Sequence, residues 1–535
     1  MNRKGLRNSR VLRSQTISEA AVIIAVLTFV SKIFGYLREI LVANYFGATA
    51  KTDAFLVALL IPNMILGLFS AGLSTTIIPI FTEKKKEDET KGKLFVNQVF
   101  MISSTVLVIV SIFIVLFSGF FIKLVAYGFK GESLLMAERF IKLLTIFGFF
   151  NCISGLFTGL LQAERQFLVP ILSSVVGNAM VPLSLFVLTP FLDIGSWIVG
   201  QIAFGAVQFF AMFIFLRKRW GFFKSFRVKG IMWGEVFNFY KLTLPIILTS
   251  GAGVLYQIVD KSVASSLQAG SISALNFAQR VYLIPYGLIG VSLAVSVFPT
   301  FSSFAVNRDT EGYSNVFEKS LIFLMYIMIP LSSFFVIFAQ PIVKLLFERG
   351  AFDVSATTLT SLCVSMYAVS LFFLSLNDIF HRVFFSYKDT RTPMYISLFT
   401  VVLNIVLDIL LGRLMGAAGI ALATTLVTLS ATVVHLFILM RRHYVGNLKR
   451  RQLFVEIAKV LIGTSIVIVI SVFIKARVNF NLGFLPLLLR MVLISIVLLV
   501  VYTASTFILH SRGLGIMREE VTKILKNFWK TLFGY

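Results

Sequence analysis

Two arginines, Arg38 and Arg280, lie inside long apolar stretches of this sequence. A charged group at the centre of a bilayer costs about 2.5–3.5 kcal/mol on insertion scales, so each needs a partner or a water-filled cavity. Guanidinium groups bind phosphate oxygens through paired hydrogen bonds. We therefore expect both arginines to bind a diphosphate or a similar anion. The alternative for Arg38 is structural, because it could pair with Glu39 or Asp53 or extend to the membrane interface.

Four further ionisable residues lie near Arg38 or in the apolar segment before Arg280. They are candidates for the same anion site: Lys32, Glu39, Asp53 and Lys261.

A second set of residues is rich in oxygen. Asn404 and Asp408 are four residues apart, so on a helix they point from one face. With Thr424, Asp260 and a backbone carbonyl they would suit a hard cation such as Na⁺. Two alternatives stay open: the buried carboxylates hold protons, because desolvation disfavours their charged form, or the set only makes hydrogen bonds between helices.

The composition places these residues in a membrane protein. Of 535 residues, 58% are hydrophobic and 14% are charged, whereas a soluble domain is about half apolar and about a quarter charged. A water-soluble enzyme is therefore excluded. The net charge of +25 is divided among short loops, which argues against nucleic-acid binding. Cys152 and Cys363 have no metal-ligand spacing.

The apolar blocks predict an all-α polytopic fold with fourteen transmembrane helices, since each span needs about 20 apolar residues. The predicted spans are 17–45, 53–81, 94–122, 134–161, 167–190, 194–216, 237–266, 272–304, 316–346, 354–385, 393–412, 416–440, 453–474 and 483–509. Lysine and arginine are concentrated in the tail 1–16 and in the loops 82–93, 217–236 and 441–452. The positive-inside rule then places both termini, including the tail 510–535, in the cytoplasm.

The sequence repeats itself at an offset of 223 residues. The matching pairs are Gly47 and Gly270, Arg38 and Lys261, Leu60-Ile61-Pro62 and Leu283-Ile284-Pro285, Arg165 and Lys388, and Pro170 and Pro393. Six spans separate equivalent positions, so the repeats are parallel and form an N-lobe (17–216) and a C-lobe (237–440), followed by two more helices (453–509). Transporters of this kind bind substrate near the membrane midplane between the lobes and work by alternating access. The competing interpretation is that membrane helices align by chance.

Three stretches carry a resemblance to a known family. They are SKIFGYLREILVANYFGATAKTDAFLVALLIPN (31–63), GSISALNFAQRVYLIPYGLIGVSLAVSVFPTFS (270–302) and GAAGIALATTL (416–426). The sequence resembles the MurJ/MviN lipid II flippases of the multidrug/oligosaccharidyl-lipid/polysaccharide exporter superfamily. The resemblance implies a flippase, not an enzyme, that moves an undecaprenyl-diphosphate-linked glycolipid across the bacterial plasma membrane for peptidoglycan synthesis. It also implies that the last two helices line a groove for the lipid tail.

The resemblance also assigns residues. Arg38 and Arg280 match cavity arginines of the family, and Asp53 matches the acidic residue of its Asp-Ala-Phe motif. The ligands of sodium-binding members correspond here to Asp260, Asn404, Asp408, Thr424 and the carbonyl of Ile420. Na⁺ is thus the expected coupling ion, with protons or the membrane potential as alternatives. The cell-wall synthesis machinery is a further expected partner.

One region departs from the family pattern. Leu66 and Gly67 replace basic residues, and Ala71 replaces a glutamate. A cation and its expected partner are lost together, which avoids leaving either charge buried alone. The departure keeps another polyprenyl-diphosphate glycan open as the substrate. Three further alternatives are a cation-coupled multidrug exporter of the same superfamily, a membrane glycosyltransferase and a scaffold without transport activity.

Overall fold

The computed structural model describes residues 17–222, 232–446, 448, 450–520 and 522. Within these ranges every regular element is a helix, so the all-α prediction is confirmed. The predicted cytoplasmic tail 1–16, the middle of the loop 217–236 and the end of the tail 510–535 lie outside the described residues.

The chain divides into two compact units. The first extends to Gly270 and includes the short segment Arg349–Phe352. Its described helices are α1 (Ile17–Phe46), α2 (Ala50–Glu87), α3 (Glu89–Leu116), α4 (Ser118–Val125), α5 (Gly131–Ala163), α6 (Leu168–Leu192), α7 (Gly195–Trp220) and α8 (Trp233–Ala264).

The second unit comprises Ser271–Glu348 and the chain from Asp353 on. Its first span consists of α9 (Ser271–Pro285), a π-helical turn (Tyr286–Gly290) and α10 (Val291–Asn307). The helices that follow are α11 (Thr310–Ile337), α12 (Ala339–Phe347), α13 (Val354–Ala368), α14 (Leu371–Ser386), α15 (Arg391–Met415), α16 (Ala417–Arg441), α17 (Arg450–Arg477) and α18 (Phe484–Ile508).

The described helices agree with the predicted spans in position. Eleven described helices are long and apolar enough to cross a membrane, or twelve if α13 and α14, bent by 44°, form one span. The two remaining predicted spans coincide with α1 and α8, which have 30 and 32 residues. The count of fourteen is compatible with this, and it stays a prediction.

Two predicted spans extend too far. The predicted segments 94–122 and 316–346 are each divided into a long helix and a short one, α3 with α4 and α11 with α12. The divisions fall at Phe117 (φ −101°, ψ 25°) and Phe338 (φ −100°, ψ 20°), whose backbone angles depart from those of an α-helix. Apolar composition continues across both breaks, so hydropathy alone does not reveal them.

The internal repeat is present in the backbone conformation. Arg165 and Lys388, an equivalent pair, both have a left-handed backbone, with φ of 56° and 58°. Asp193 (φ 47°, ψ −132°) and Gly416 (φ 63°, ψ −142°) are also 223 positions apart and end α6 and α15 with nearly the same angles. Such conformations are uncommon for residues other than glycine, so their recurrence at one offset argues against chance alignment.

The boundary between the compact units differs from the lobe boundary drawn from the repeat. α8 packs against α2, α3 and α4, so it belongs to the first unit although its sequence begins the second repeat. The predicted lobe limits at 216 and 237 describe the repeat and stay a prediction.

Candidate functional site

Arg38 and Glu39 form an ion pair on α1. Nη2 of Arg38 donates to Oε1 of Glu39 at 2.7 Å, and the two side chains are 19% and 4% exposed. Nε of Arg38 is buried without a hydrogen-bond partner in the described part of the chain. Arg38 therefore pairs with Glu39 in this structure, and its role in binding an anion stays a prediction.

Asp53 is buried in the first turn of α2, where its carboxylate fixes a loop. Oδ2 of Asp53 accepts a hydrogen bond from the backbone N–H of Gly270 at 2.7 Å. Gly270 has φ of +88°, and a Cβ there would lie 2.3 Å from the carbonyl oxygen of Ala48. The predicted anion-site residue Asp53 thus holds the connection after α8 close to the start of α2.

The two candidate lysines differ in their surroundings. Lys32 is exposed on α1. Nζ of Lys261 donates to the carbonyl oxygen of Leu56 at 3.0 Å, which joins α8 to α2. Lys261 therefore contributes to packing within the first unit.

Arg280 belongs to the second unit and lies near the end of α9. It is exposed, whereas the neighbouring Phe277, Ala278 and Val281 are buried. The Arg280 side chain is thus exposed on a helix whose other residues are mostly buried.

The predicted sodium ligands are divided between the units. Asp260 lies on α8 of the first unit, and the other four lie on α15 and α16 of the second unit. Asn404 and Asp408 are 1% and 0% exposed, and Oγ1 of Thr424 donates to the carbonyl oxygen of Ile420 at 3.2 Å.

The helices α15 and α16 approach each other closely beside these residues. A Cβ on Gly419 would lie 1.9 Å from the carbonyl oxygen of Leu411, so only glycine permits this contact. Both polar atoms of the Asn404 amide are buried without a hydrogen-bond partner among the described residues. A buried amide without partners is costly unless a ligand takes its oxygen.

Sequence reasoning missed a polar cluster on α14, within the predicted span 354–385. The helix carries Asn377, Asp378, His381 and Arg382. Oδ2 of Asp378 accepts a hydrogen bond from the hydroxyl of Tyr286 at 2.6 Å, and the Arg382 guanidinium lies 5.4 Å from the ring centroid of Phe298. The signal was available, because polar residues at i, i+1, i+4 and i+5 in one apolar span share one helical face.

The positions that depart from the family pattern have distinct environments. Leu66 is fully buried and packs against Gly148 of α5. Gly67 has open space where a side chain would be, and Ala71 is exposed. Leu66 is therefore a helix-packing residue here, and no charged side chain occupies the other two positions.

Repeated helical units with ionisable side chains inside apolar spans define a polytopic membrane transporter. A model of the family described as lipid II flippase MurJ matches residues 42–512. Because the match covers most of the sequence, the chain belongs to this family. The predicted family is thus confirmed, as is the prediction of a flippase in place of an enzyme.

Relatives and solved structures agree with this assignment. A probable lipid II flippase MurJ of Borreliella burgdorferi is 25% identical, over 79% of this chain and 83% of the relative. One from Synechocystis is 27% identical, over 80% and 82%. A solved structure titled lipid II flippase MurJ, inward closed conformation, has a TM-score of 0.74 at 23% identity, over 91% of this chain and 98% of that one. An inward-facing MATE-family multidrug transporter has the same fold at a TM-score of 0.66.

Proposed function

We propose that the protein translocates lipid II, an undecaprenyl-diphosphate-linked peptidoglycan precursor, across the bacterial plasma membrane by alternating access. The observation that carries this proposal is the family match, which extends from α1 into the segment after α18. Curated relatives named as probable lipid II flippases also align over about four fifths of both chains. The substrate is a lipid-linked glycan, and no covalent bond is made or broken.

The arginines supply the charge that the diphosphate needs. Among the described residues, Arg38 has a buried N–H without a hydrogen-bond partner, and Arg280 is exposed on a helix that is mostly buried. In a partly dry environment an arginine–phosphate contact is stronger than at a surface, because screening is weak. The lipid tail would stay in the bilayer beside α17 and α18.

The substrate assignment is tested by replacing Arg38 and Arg280 with alanine in a host depleted of the protein. We expect lipid II to accumulate in the inner leaflet, as with an empty vector, because the diphosphate loses its ligands. Arg413→Ala, an exposed arginine in the last turn of α15, is the matched control and should restore transport. A fully active double variant would exclude Arg38 and Arg280 as substrate ligands. Accumulation of a different polyprenyl-diphosphate glycan would exclude lipid II as the substrate.

We also propose Na⁺ as the coupling ion. The donor set on α15 fits, because the buried amide oxygen of Asn404 has no hydrogen-bond partner among the described residues and Asp408 is a fully buried carboxylate. Thr424 and the Ile420 carbonyl, on α16 of the same unit, would add oxygen ligands, and Asp260 stays a ligand predicted from the resemblance. A bound cation would neutralise buried carboxylate charge.

Sodium binding can be measured without transport. A ligand that binds only the folded state stabilises it in proportion to ln(1 + [L]/Kd), so NaCl should raise the melting temperature more than equal KCl. Asp408→Asn should abolish the difference, whereas Asp309→Asn, at the exposed start of α11, should leave it unchanged. Equal melting temperatures in NaCl and KCl for the unmodified protein would exclude this site.

The cytoplasmic placement of both termini is part of the proposal. Basic residues at one end of several helices support it, as at Lys84–Lys86 of α2, Arg217–Arg219 of α7 and Arg441 of α16. The cell-wall synthesis machinery is the proposed partner, because it would consume the translocated precursor.

A further inference from the structure

Two histidines meet inside the second unit, on α14 and α16. The ring centroids of His381 and His435 are 5.0 Å apart and the rings are nearly perpendicular, at 76°. His435 is 2% exposed and is also flanked by the rings of Phe380 and Phe384. Neither histidine belongs to the anion site or to the cation site described above.

Hydrogen bonds fix which nitrogen of His435 carries the proton. Nδ2 of Asn377 donates to the carbonyl oxygen of Thr428 at 3.2 Å, so the amide oxygen of Asn377 faces Nδ1 of His435 at 3.1 Å. An amide oxygen can only accept, so Nδ1 is the donor. In the neutral ring, Nε2 of His435 therefore carries the free lone pair.

That lone pair has no hydrogen-bond donor. Nε2 of His435 and Nε2 of His381 are both buried without a hydrogen-bond partner in the described ranges. A buried acceptor without a donor loses the hydrogen bond it made with water, which costs about 1–3 kcal/mol. A proton bound at either Nε2 would remove that unpaired lone pair.

We propose that His381 and His435 form one proton-binding site inside the second unit. An imidazolium directed at the face of a neighbouring aromatic ring is favourable, and the perpendicular arrangement provides such a contact. The use of this proton as a coupling ion rests on the proposed transport function. The proton site itself does not.

Two charged residues lie close to the pair on the same helix. Asp378 favours a proton on His381 and Arg382 opposes it, and a charge on His381 opposes a second charge on His435, so the pair takes up one proton at most. The π-helical turn contributes Tyr286, whose hydroxyl is bonded to Asp378.

The other described helices that pack on α14 are α10, α11, α15 and α16. α10 has no titratable side chain. On α11, the Tyr313 hydroxyl is bonded to Ser386 and the Glu318 carboxylate is paired with Arg512. The other charged residues of these helices are Glu311, Lys319, Arg391, Asp408, Arg413 and Arg441. Asp378 is the carboxylate that acts on His381, so it is the counter-charge for a protonated pair.

Nitrogen-15 NMR of histidine-labelled protein tests the site directly, because the chain has only four histidines. His443 and His510 lie outside the predicted spans and serve as internal references. We expect His381 and His435 to titrate as one coupled pair as the pH is lowered, with one proton for two rings. His381→Phe should alter the titration of His435, whereas His443→Phe should not. Two rings that stay neutral down to the lowest pH at which the protein remains folded, or a His435 titration unchanged in His381→Phe, would overturn the proposal.

Transport assays separate this inference from the proposed function. Vesicles of phosphatidylethanolamine and phosphatidylglycerol would contain the protein and fluorescent lipid II, with an imposed pH gradient or an imposed membrane potential. The unmodified protein should respond to both, whereas His381→Phe and His435→Phe should lose the response to the pH gradient alone. If lipid II is not flipped although the histidines titrate jointly, the proposed function is wrong and the proton site stands. If both variants keep the pH response, the coupling role is wrong.

Discussion

Gly270 combines a positive φ with a close backbone contact, so a single methyl group there should be costly. A Cβ would lie 2.3 Å from the carbonyl oxygen of Ala48, and φ is +88°. Residues with a Cβ are strained by about 1–3 kcal/mol in such regions. We expect Gly270→Ala to lower the melting temperature of the purified protein by several degrees. Gly234→Ala, where no atom lies within 4 Å of the added carbon, is the matched control and should have little effect. Equal melting temperatures for the two variants would contradict this view.

Single residues also show how far the sequence predicts the site. Arg38, Asp408 and their neighbours were recognisable because charge inside an apolar span is expensive. Of the two carboxylates that the sequence offers to Arg38, Glu39 and Asp53, only the structure shows that Glu39 is the partner. The histidine pair was not recognisable, because residues 381 and 435 are brought together by the packing of two helices.

The loop between α14 and α15 is held to the end of α16 by the Asp389–Arg442 ion pair. Nη1 of Arg442 donates to Oδ2 of Asp389 at 2.5 Å, and the backbone N–H of Thr392 donates to Oδ1. Burial raises the pKa of Asp389, but the hydrogen bonds from Thr392 and the Arg442 charge lower it more, so the pKa lies below its ordinary 3.8. The ion pair therefore stabilises the fold above about pH 4, and this contribution is lost as the pH falls through the lowered pKa.

Asp389→Asn isolates this charge, because asparagine still accepts from Thr392. We expect a loss of at most about 1 kcal/mol near pH 7, since Arg442 is half exposed. Melting temperatures of the two proteins should converge as the pH falls below 3.8, the ordinary pKa of the carboxyl, and through its lowered pKa in the folded protein. A difference that stays constant with pH would show that the charge of Asp389 does not contribute.

The breaks within predicted spans could not be located from the sequence alone. The segment 354–385 is continuously apolar, yet α13 ends at Ala368 and α14 begins at Leu371. The hydroxyl of Ser370 donates to the carbonyl oxygen of Tyr367 at 2.6 Å, and Ser332 of α11 donates to that of Ala368 at 2.7 Å. Side chains thus satisfy carbonyls that the bend frees, which is how a broken helix persists in a membrane. Helix number and position follow from hydropathy, whereas such breaks depend on tertiary partners.

At the scale of the whole molecule, the repeat is the feature that sequence and structure share most fully. Pairs chosen by residue type also agree in conformation, as at Arg165 and Lys388. The compact units do not follow the repeat, because α8 packs with the first unit. The repeat describes how similar sequences follow one another along the chain. Packing decides which helices form one compact unit.

The repeat also identifies a position where one copy is strained. Asp193 and its equivalent Gly416 share a backbone conformation that glycine adopts freely and other residues adopt at a cost of about 1–3 kcal/mol. Asp193→Gly should therefore raise the free energy of unfolding by about 1 kcal/mol, although it removes the exposed ion pair with Lys51. Gly416→Ala should lower it by about 1–3 kcal/mol from strain alone, because no atom lies within 4 Å of the added carbon. Lys51→Ala, which breaks the same ion pair without changing the backbone, should cost at most about 1 kcal/mol. The free energy of unfolding of each variant can be measured in detergent and compared with that of the unmodified protein. A destabilised Asp193→Gly protein would show that the ion pair outweighs the strain.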